Sequence, residues 1–173
     1  MSAETFTTAM FLITAVIAAG VLINAVFPVV YNMAGTFSSA THDSDQRLRT
    51  DFKIVTNVAG SDSPYNSAKI WLKNIGSSRI PLADITNRSD VFCGPSGNFD
   101  RLSYDYDTTT SDKTWVADLY DTNNNGYWDN GETVKIIAYN SDIPSSGSGG
   151  SVYFQFILPD GIWRSIEYNV SSG

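Results

Sequence analysis

Between Glu4 and Asp43 the chain carries no formally charged side chain. Inside that interval Thr8 to Val30 reads TAMFLITAVIAAGVLINAVFPVV, an almost unbroken apolar run. As an α-helix rising about 1.5 Å per residue, it reaches across a hydrocarbon core of about 30 Å. The core helix of a globular domain rarely needs so long an uncharged run. A secretory signal needs a basic leader, a shorter apolar core and a small-residue cleavage site. The leader Met1–Glu4 holds no Lys or Arg, so a cleaved signal is not expected. Residues 1–31 are therefore expected to form one hydrophobic helix, serving as membrane anchor or assembly element.

Small residues cluster within the run at Ala15, Ala18, Ala19 and Gly20. Ala15 and Ala19 stand one turn apart, a small-xxx-small pair that lets helices approach closely in lipid. Helix packing between copies is expected at Ala15, Ala19 and Gly20. Asn24 places a polar group at depth, and Pro28 removes a backbone donor and should bend or loosen the last turn. Residues 32–51 are polar, and two arrangements are open to them: a stalk that prolongs the helix, or a linker. Gly35 and the Ser/Thr run weaken a continuous helix. His42 falls here and is expected to be exposed and without a role. Every Lys and Arg lies at or beyond Arg47, which taken alone weakly favours a cytoplasmic head.

After Phe52 the periodicity changes to two. FKIVTNV, AKIWLKNIG, SRIPLADI, DVFCG, NFDRLSYDYD, TWVADLY, ETVKIIAY, SVYFQFIL and IWRSIEYNV are rich in β-branched and aromatic residues and separated by Gly, Pro, Asn or Ser. Short strands at this spacing predict an all-β head over residues 52–173, an immunoglobulin-like antiparallel β-sandwich with an aromatic core. SSGSGGS, Ser145–Ser151, reads as a loop between two strands, and Pro159-Asp160-Gly161 as a turn.

Composition removes several function classes. A formal net charge of −7 argues against a nucleic-acid partner, whose phosphates call for a basic face. The single cysteine, Cys93, rules out an internal disulfide, and the single histidine, His42, falls in the stalk, away from the head where a serine triad would need its base. Asp105, Asp107 and Asp112 resemble paired glycosidase carboxylates. Asp105 and Asp107 flank Tyr106 on an alternating strand, however, which places both on its solvent face ahead of a turn. No enzymatic activity is expected and no cofactor is required. Asn87-Arg-Ser89 and Asn169-Val-Ser171 are glycosylation sequons, relevant only to a head outside the cytoplasm.

One loop has the register of a calcium site. In DTNNNGYWDNGE, Asp121, Asn123 and Asn125 offer side-chain oxygens, Tyr127 its carbonyl, and Asp129 and Glu132 further carboxylates, with Gly126 for the sharp turn. The flanks look like strands rather than EF-hand helices, and Asn-Gly turns also build hairpins without metal. With three carboxylates, any calcium affinity belongs to the weak extracellular class.

ETFTTAMFLITAVIAAGVLINAVFPVVY, the vkNxGs-like AKIWLKNIGSSRIPLADI…DVFCG and the closing VYFQFILPDGIWRSIEYNV together resemble the archaellin-related proteins of archaea. The match is best to accessory proteins of the FlaG type, which belong to the archaellum, the archaeal swimming motor. Filament-forming archaellins carry a basic leader ending in Lys/Arg-Gly before the helix. This chain has none, a departure that favours the accessory branch. The resemblance implies a single-pass cell-membrane protein with its head outside the cytoplasm beneath the S-layer, opposite to the charge signal. It further implies a non-enzymatic, stator-like role, association with itself, and contact with a second accessory protein bound to the S-layer. The rival readings are a pilin- or archaellin-like filament subunit and a calcium-dependent surface binding module.

Overall fold

The computed structural model describes residues 2–61, 64–107, 110–145 and 147–170. The chain divides into two compact units, Met1–Asp45 and Gln46–Gly173. The first unit is helix. The first helix, α1, runs from Ser2 to Arg49 through Pro28, Gly35 and the Ser/Thr run. The hydroxyls of Thr36, Ser39 and Thr41 each donate to the carbonyl four residues earlier. Their polarity is satisfied inside the helix rather than against it. Thr7, Thr8 and Thr14 do the same in the apolar stretch, which leaves that stretch compatible with hydrocarbon. The helix is long and apolar enough to cross a membrane.

The second unit is the all-β head. Its elements are β1 (Phe52–Gly60), β2 (Ser67–Asn74), β3 (Ile80–Pro81), a short helix α2 (Leu82–Arg88), β4 (Asp90–Pro95), β5 (Asp100–Tyr104), β6 (Thr114–Tyr120), β7 (Tyr127–Trp128), β8 (Thr133–Tyr139), β9 (Ser151–Ile157) and β10 (Trp163–Asn169). Eight strands form one sheet in the order β1-β2-β8-β6-β5-β4-β9-β10, and β3 pairs with β7 in a separate two-stranded ribbon. Among the described residues every pairing is antiparallel except β5 with β6. The expected sandwich is present as one continuous sheet folded over on itself.

Alternation explains how it folds. In β2 the residues Ala68, Ile70 and Leu72 are fully buried, while Lys69, Trp71 and Lys73 face outward. In β8 and β9 the inward sets are Val134, Ile136, Ala138 and Val152, Phe154, Phe156. Aromatic side chains join strands that are distant in the sheet. The Phe52 ring lies 5.6 Å from Phe156 and 5.9 Å from Trp128, and Trp115 lies 6.3 Å from Phe156. Each such pair contributes about 0.5–1.5 kcal/mol beyond its area burial. These contacts curl the sheet until its edge strands β1 and β10 meet, where Arg164 stacks over Phe52 and pairs with Asp51.

One expected strand is mostly something else. In SRIPLADI only Ile80–Pro81 is extended, and Leu82–Arg88 is helical. Leu82 and Ala83 are good helix formers, and Asp84 and Arg88 form an i,i+4 pair at 3.3 Å. Pro81 at the N-cap position needs no amide partner. Ile85, the buried residue of α2, anchors it to the core.

Candidate functional site

The strands flanking the Asp/Asn loop are β6 and β8, as the sequence indicated, and the loop itself is closed by hydrogen bonds. Asp121 accepts from Asn123 N at 3.1 Å and from Gly126 N at 2.8 Å. Asn123 Oδ1 accepts from Asn125 N, and Asn125 Oδ1 from Tyr127 N. The Nδ2 groups of Asn123 and Asn125 both donate to Asp129, at 3.0 and 2.7 Å. Glu132 joins the two ends of the loop. One carboxylate oxygen accepts from the amide and hydroxyl of Thr122, and the other from Asp129 N.

Electrostatics follow from these donors. Asp121 is held below the usual carboxylate range, chiefly by the Gly126 amide. The side-chain amides of Asn123 and Asn125 do the same for Asp129, and the Thr122 hydroxyl for Glu132. The six residues of the calcium register thus share one loop, yet the side-chain oxygens of Asp121, Asn123, Asn125, Asp129 and Glu132 accept from the loop's own N–H and O–H groups. Among the described residues no three His, Cys, Asp or Glu side chains gather where one metal could be shared.

The loop is also the outer layer of a buttress that pattern reasoning missed. Asn74, at the end of β2, is fully buried. Its side-chain amide donates to the Trp128 and Ser78 carbonyls and its Oδ1 accepts from Gly76 N. Its backbone pairs with Glu132 and Gly131. The next residues strap the entry to the head: Ile75 N and Gly76 N donate to Asp51 O, and Ser77 N and Ser78 N to Arg49 O. A Cβ at Gly76 would lie 2.4 Å from Arg49 O and 2.5 Å from Asp51 N, so only glycine lets these backbones pass. Asn130 closes the assembly by donating to Gly76 O at 2.6 Å. The Asn-x-Gly that follows β2 was the available signal.

The other candidates fall elsewhere. Ala15, Ala19 and Gly20 are exposed along α1, and a Cβ at Gly20 meets nothing of the chain within 4 Å. Asp105 and Asp107 do not share a solvent face, because β5 ends at Tyr104. Asp105 is instead buried, its carboxylate accepting from Asp107 N and Thr110 N. Asp112 accepts from Ser141 across to the next turn. Cys93 is buried, and desolvation pushes its thiol up to about 12. Asn87 is exposed at the end of α2 and accepts from the Tyr106 hydroxyl at 2.8 Å. Asn169 is exposed too, but its sequon closes at Ser171, outside the described residues.

Residues 2–168 match the family described as archaeal-type flagellin. An uncharacterized protein of Archaeoglobus fulgidus is 28% identical over 142 residues, 82% of this chain and 83% of its own length. The archaellum periplasmic stator protein FlaG of Sulfolobus acidocaldarius superposes with a TM-score of 0.51 at 25% identity, covering 69% of this chain and 99% of that one. The structure of that protein in complex with FlaF matches similarly, at 0.50 and 24%, covering 68% and 87%. A chain of the archaeal flagellum of Methanospirillum hungatei matches with a TM-score of 0.55 at 16% identity over 92% of each chain, a likeness of fold.

Proposed function

The chain belongs to the archaeal-type flagellin family, and on that premise we propose that it is a membrane-anchored, stator-like structural protein of the archaellum machinery. It acts without catalysis, and its head links the motor to an accessory partner bound to the S-layer. The similarity to the stator protein FlaG over nearly the whole of that chain supports the stator reading over the filament reading. The FlaF complex of that relative supports an accessory partner. Among the features of the head, the buttress around Arg49–Asp51 carries the mechanical argument. Load arriving at these residues passes by main-chain hydrogen bonds into residues 75–78, and through Asn74 into β2 and the Asp/Asn loop. A packed sheet transmits force without reorganising, because cores are close-packed and resist deformation.

In this reading α1 sits in the cell membrane and the head lies outside the cytoplasm. The test is affinity purification of the tagged full chain from its own cells after mild cross-linking. Recovery of motor components and an S-layer-bound accessory protein is the expected result. Abundant filaments built of this chain alone would instead establish the subunit reading, which the filament fold likeness keeps in play.

A further inference from the structure

The sequence holds two Asn-Gly pairs, Asn125-Gly126 and Asn130-Gly131, and both lie in the Asp/Asn loop. Asparagine is a labile residue, and before glycine in a flexible chain it is most so. The glycine amide nitrogen, after losing its proton to solvent, attacks Cγ of the asparagine side chain. A new C–N bond closes a five-membered succinimide, and Nδ2 leaves as ammonia, taking a proton back from solvent. Water then opens the ring to aspartate or, through the other carbonyl, to isoaspartate. Glycine permits the closure because it has no Cβ to obstruct it. The reaction consumes only water, and Asn125 and Asn130 are both exposed.

Hydrogen bonds restrain the two pairs, but from different places. At Asn125 the contacts lie within the loop. Gly126 N donates to Asp121 at 2.8 Å, and the Asn125 side chain accepts from Tyr127 N and donates to Asp129. At Asn130 they come from the strap that follows β2. Gly131 N donates to the carbonyl of the buried Asn74 at 2.8 Å, and Asn130 Nδ2 donates to Gly76 O at 2.6 Å. An N–H held on a buried carbonyl resists deprotonation. A tethered Nδ2 keeps Cγ from turning onto the Gly131 nitrogen. Both restraints are released together when residues 74–78 lift from the loop.

We propose that Asn130 is a deamidation site gated by this strap, so that opening of the strap is recorded as an irreversible change of asparagine to aspartate. The product does not restore the closed state. An ionised aspartate has no donor, and it turns a carboxylate toward the Gly76 carbonyl where an amide now donates. Isoaspartate inserts a methylene into the main chain and displaces Gly131 from Asn74. Local opening costs less than global unfolding, and the strap is bonded to Arg49 and Asp51, where the stator reading brings load into the head. The inference rests on that reading only for the source of the load; the chemistry belongs to the chain itself.

Peptide mass spectrometry of the full chain in neutral detergent, aged at mildly alkaline pH, follows each asparagine separately. In the native protein Asn130 should convert about tenfold or more slowly than in the chain unfolded in urea. Gly76→Ala, which crowds the strap against Arg49 and Asp51, should speed conversion at Asn130 and leave Asn125 at its native rate. Asp121→Asn, which weakens the hold on Gly126 N, should do the reverse. Asn130→Asp, the product itself, should melt several degrees below the wild type at neutral pH. Equal rates at Asn130 in native and unfolded protein overturn the proposal. So does an Asn130→Asp variant that melts with the wild type, and neither result needs Gly76→Ala to fold. Equal acceleration of both sites in a Gly76→Ala protein that circular dichroism shows to be folded also overturns it. None of these results bears on the archaellum assignment, which affinity purification decides separately.

Discussion

A methyl group added at Gly76 would sit 2.4 Å from Arg49 O and 2.5 Å from Asp51 N, both backbone atoms that cannot swing aside. Gly76→Ala is therefore expected to destabilise the head by about 2 kcal/mol or more, seen as a fall of several degrees in calorimetry. Glu132→Gln should act through hydrogen bonding instead. Among the described residues its carboxylate accepts only from Thr122 and Asp129, so an amide would turn an N–H toward another donor. Protonation has the same consequence. A carboxylate held below its unfolded value of about 4.3 contributes stability that is complete above that pH and is lost as pH falls through the lower folded value. Urea midpoints should thus drop as pH is lowered from about 4.3, and Glu132→Gln should flatten part of that slope. An identical slope in the variant would show that Glu132 contributes nothing to it. The carboxylate and amide register of residues 121–132 was legible at this scale because its spacing is local. The roles of Asn74 and Gly76 were not, because their partners at Arg49, Asp51 and Trp128 are distant in sequence.

At the scale of elements, the Asp/Asn loop and α1 each invite one experiment. We propose that the loop needs no metal to close, since its own donors already engage Asp121, Asp129 and Glu132, and that calcium is at most a brace. With a dissociation constant of about 1 mM, adding about 1 mM calcium stabilises by roughly 0.4 kcal/mol, or about 1–2 °C in melting temperature. A rise of that size over chelator is expected for the full chain. No rise would remove calcium from the account, and one of about 10 °C would make it a structural metal. For α1, we propose that helices pack through Ala15, Ala19 and Gly20. A Cβ at Gly20 meets nothing of its own chain within 4 Å, so Gly20→Leu should leave the fold intact while weakening cross-linking between helices in detergent. Unchanged cross-linking would place the helix contact elsewhere. Strand identity was legible wherever alternation ran for five residues or more. In SRIPLADI the helix formers Leu82 and Ala83 outweighed an apparent strand, a short-range competition that the β-rich surroundings obscured.

For the whole molecule, topology is the open variable that a covalent mark can report. If the head lies outside the cytoplasm, both sequons meet the glycosylation machinery, and we propose that Asn87 and Asn169 are modified. Protein isolated from its own cells should then exceed its sequence mass, with the excess falling in Asn87→Gln and again in the double variant with Asn169→Gln. A mass equal to the sequence mass would count against both sites. The sequence by itself determined the division into an apolar helical arm and a β head, because charge depletion and hydrophobic period are properties of consecutive residues. It also determined the family, through motifs spread over most of the chain. Tertiary structure alone decided that the sandwich is one sheet folded over, because Phe52, Trp115 and Phe156 meet from strands far apart in order. It also decided that the calcium-like loop braces the entry to the head, and that Lys53 of β1 pairs with Lys73 of β2 in the sheet register. Those facts depend on register and on contacts between distant segments, which no local pattern encodes.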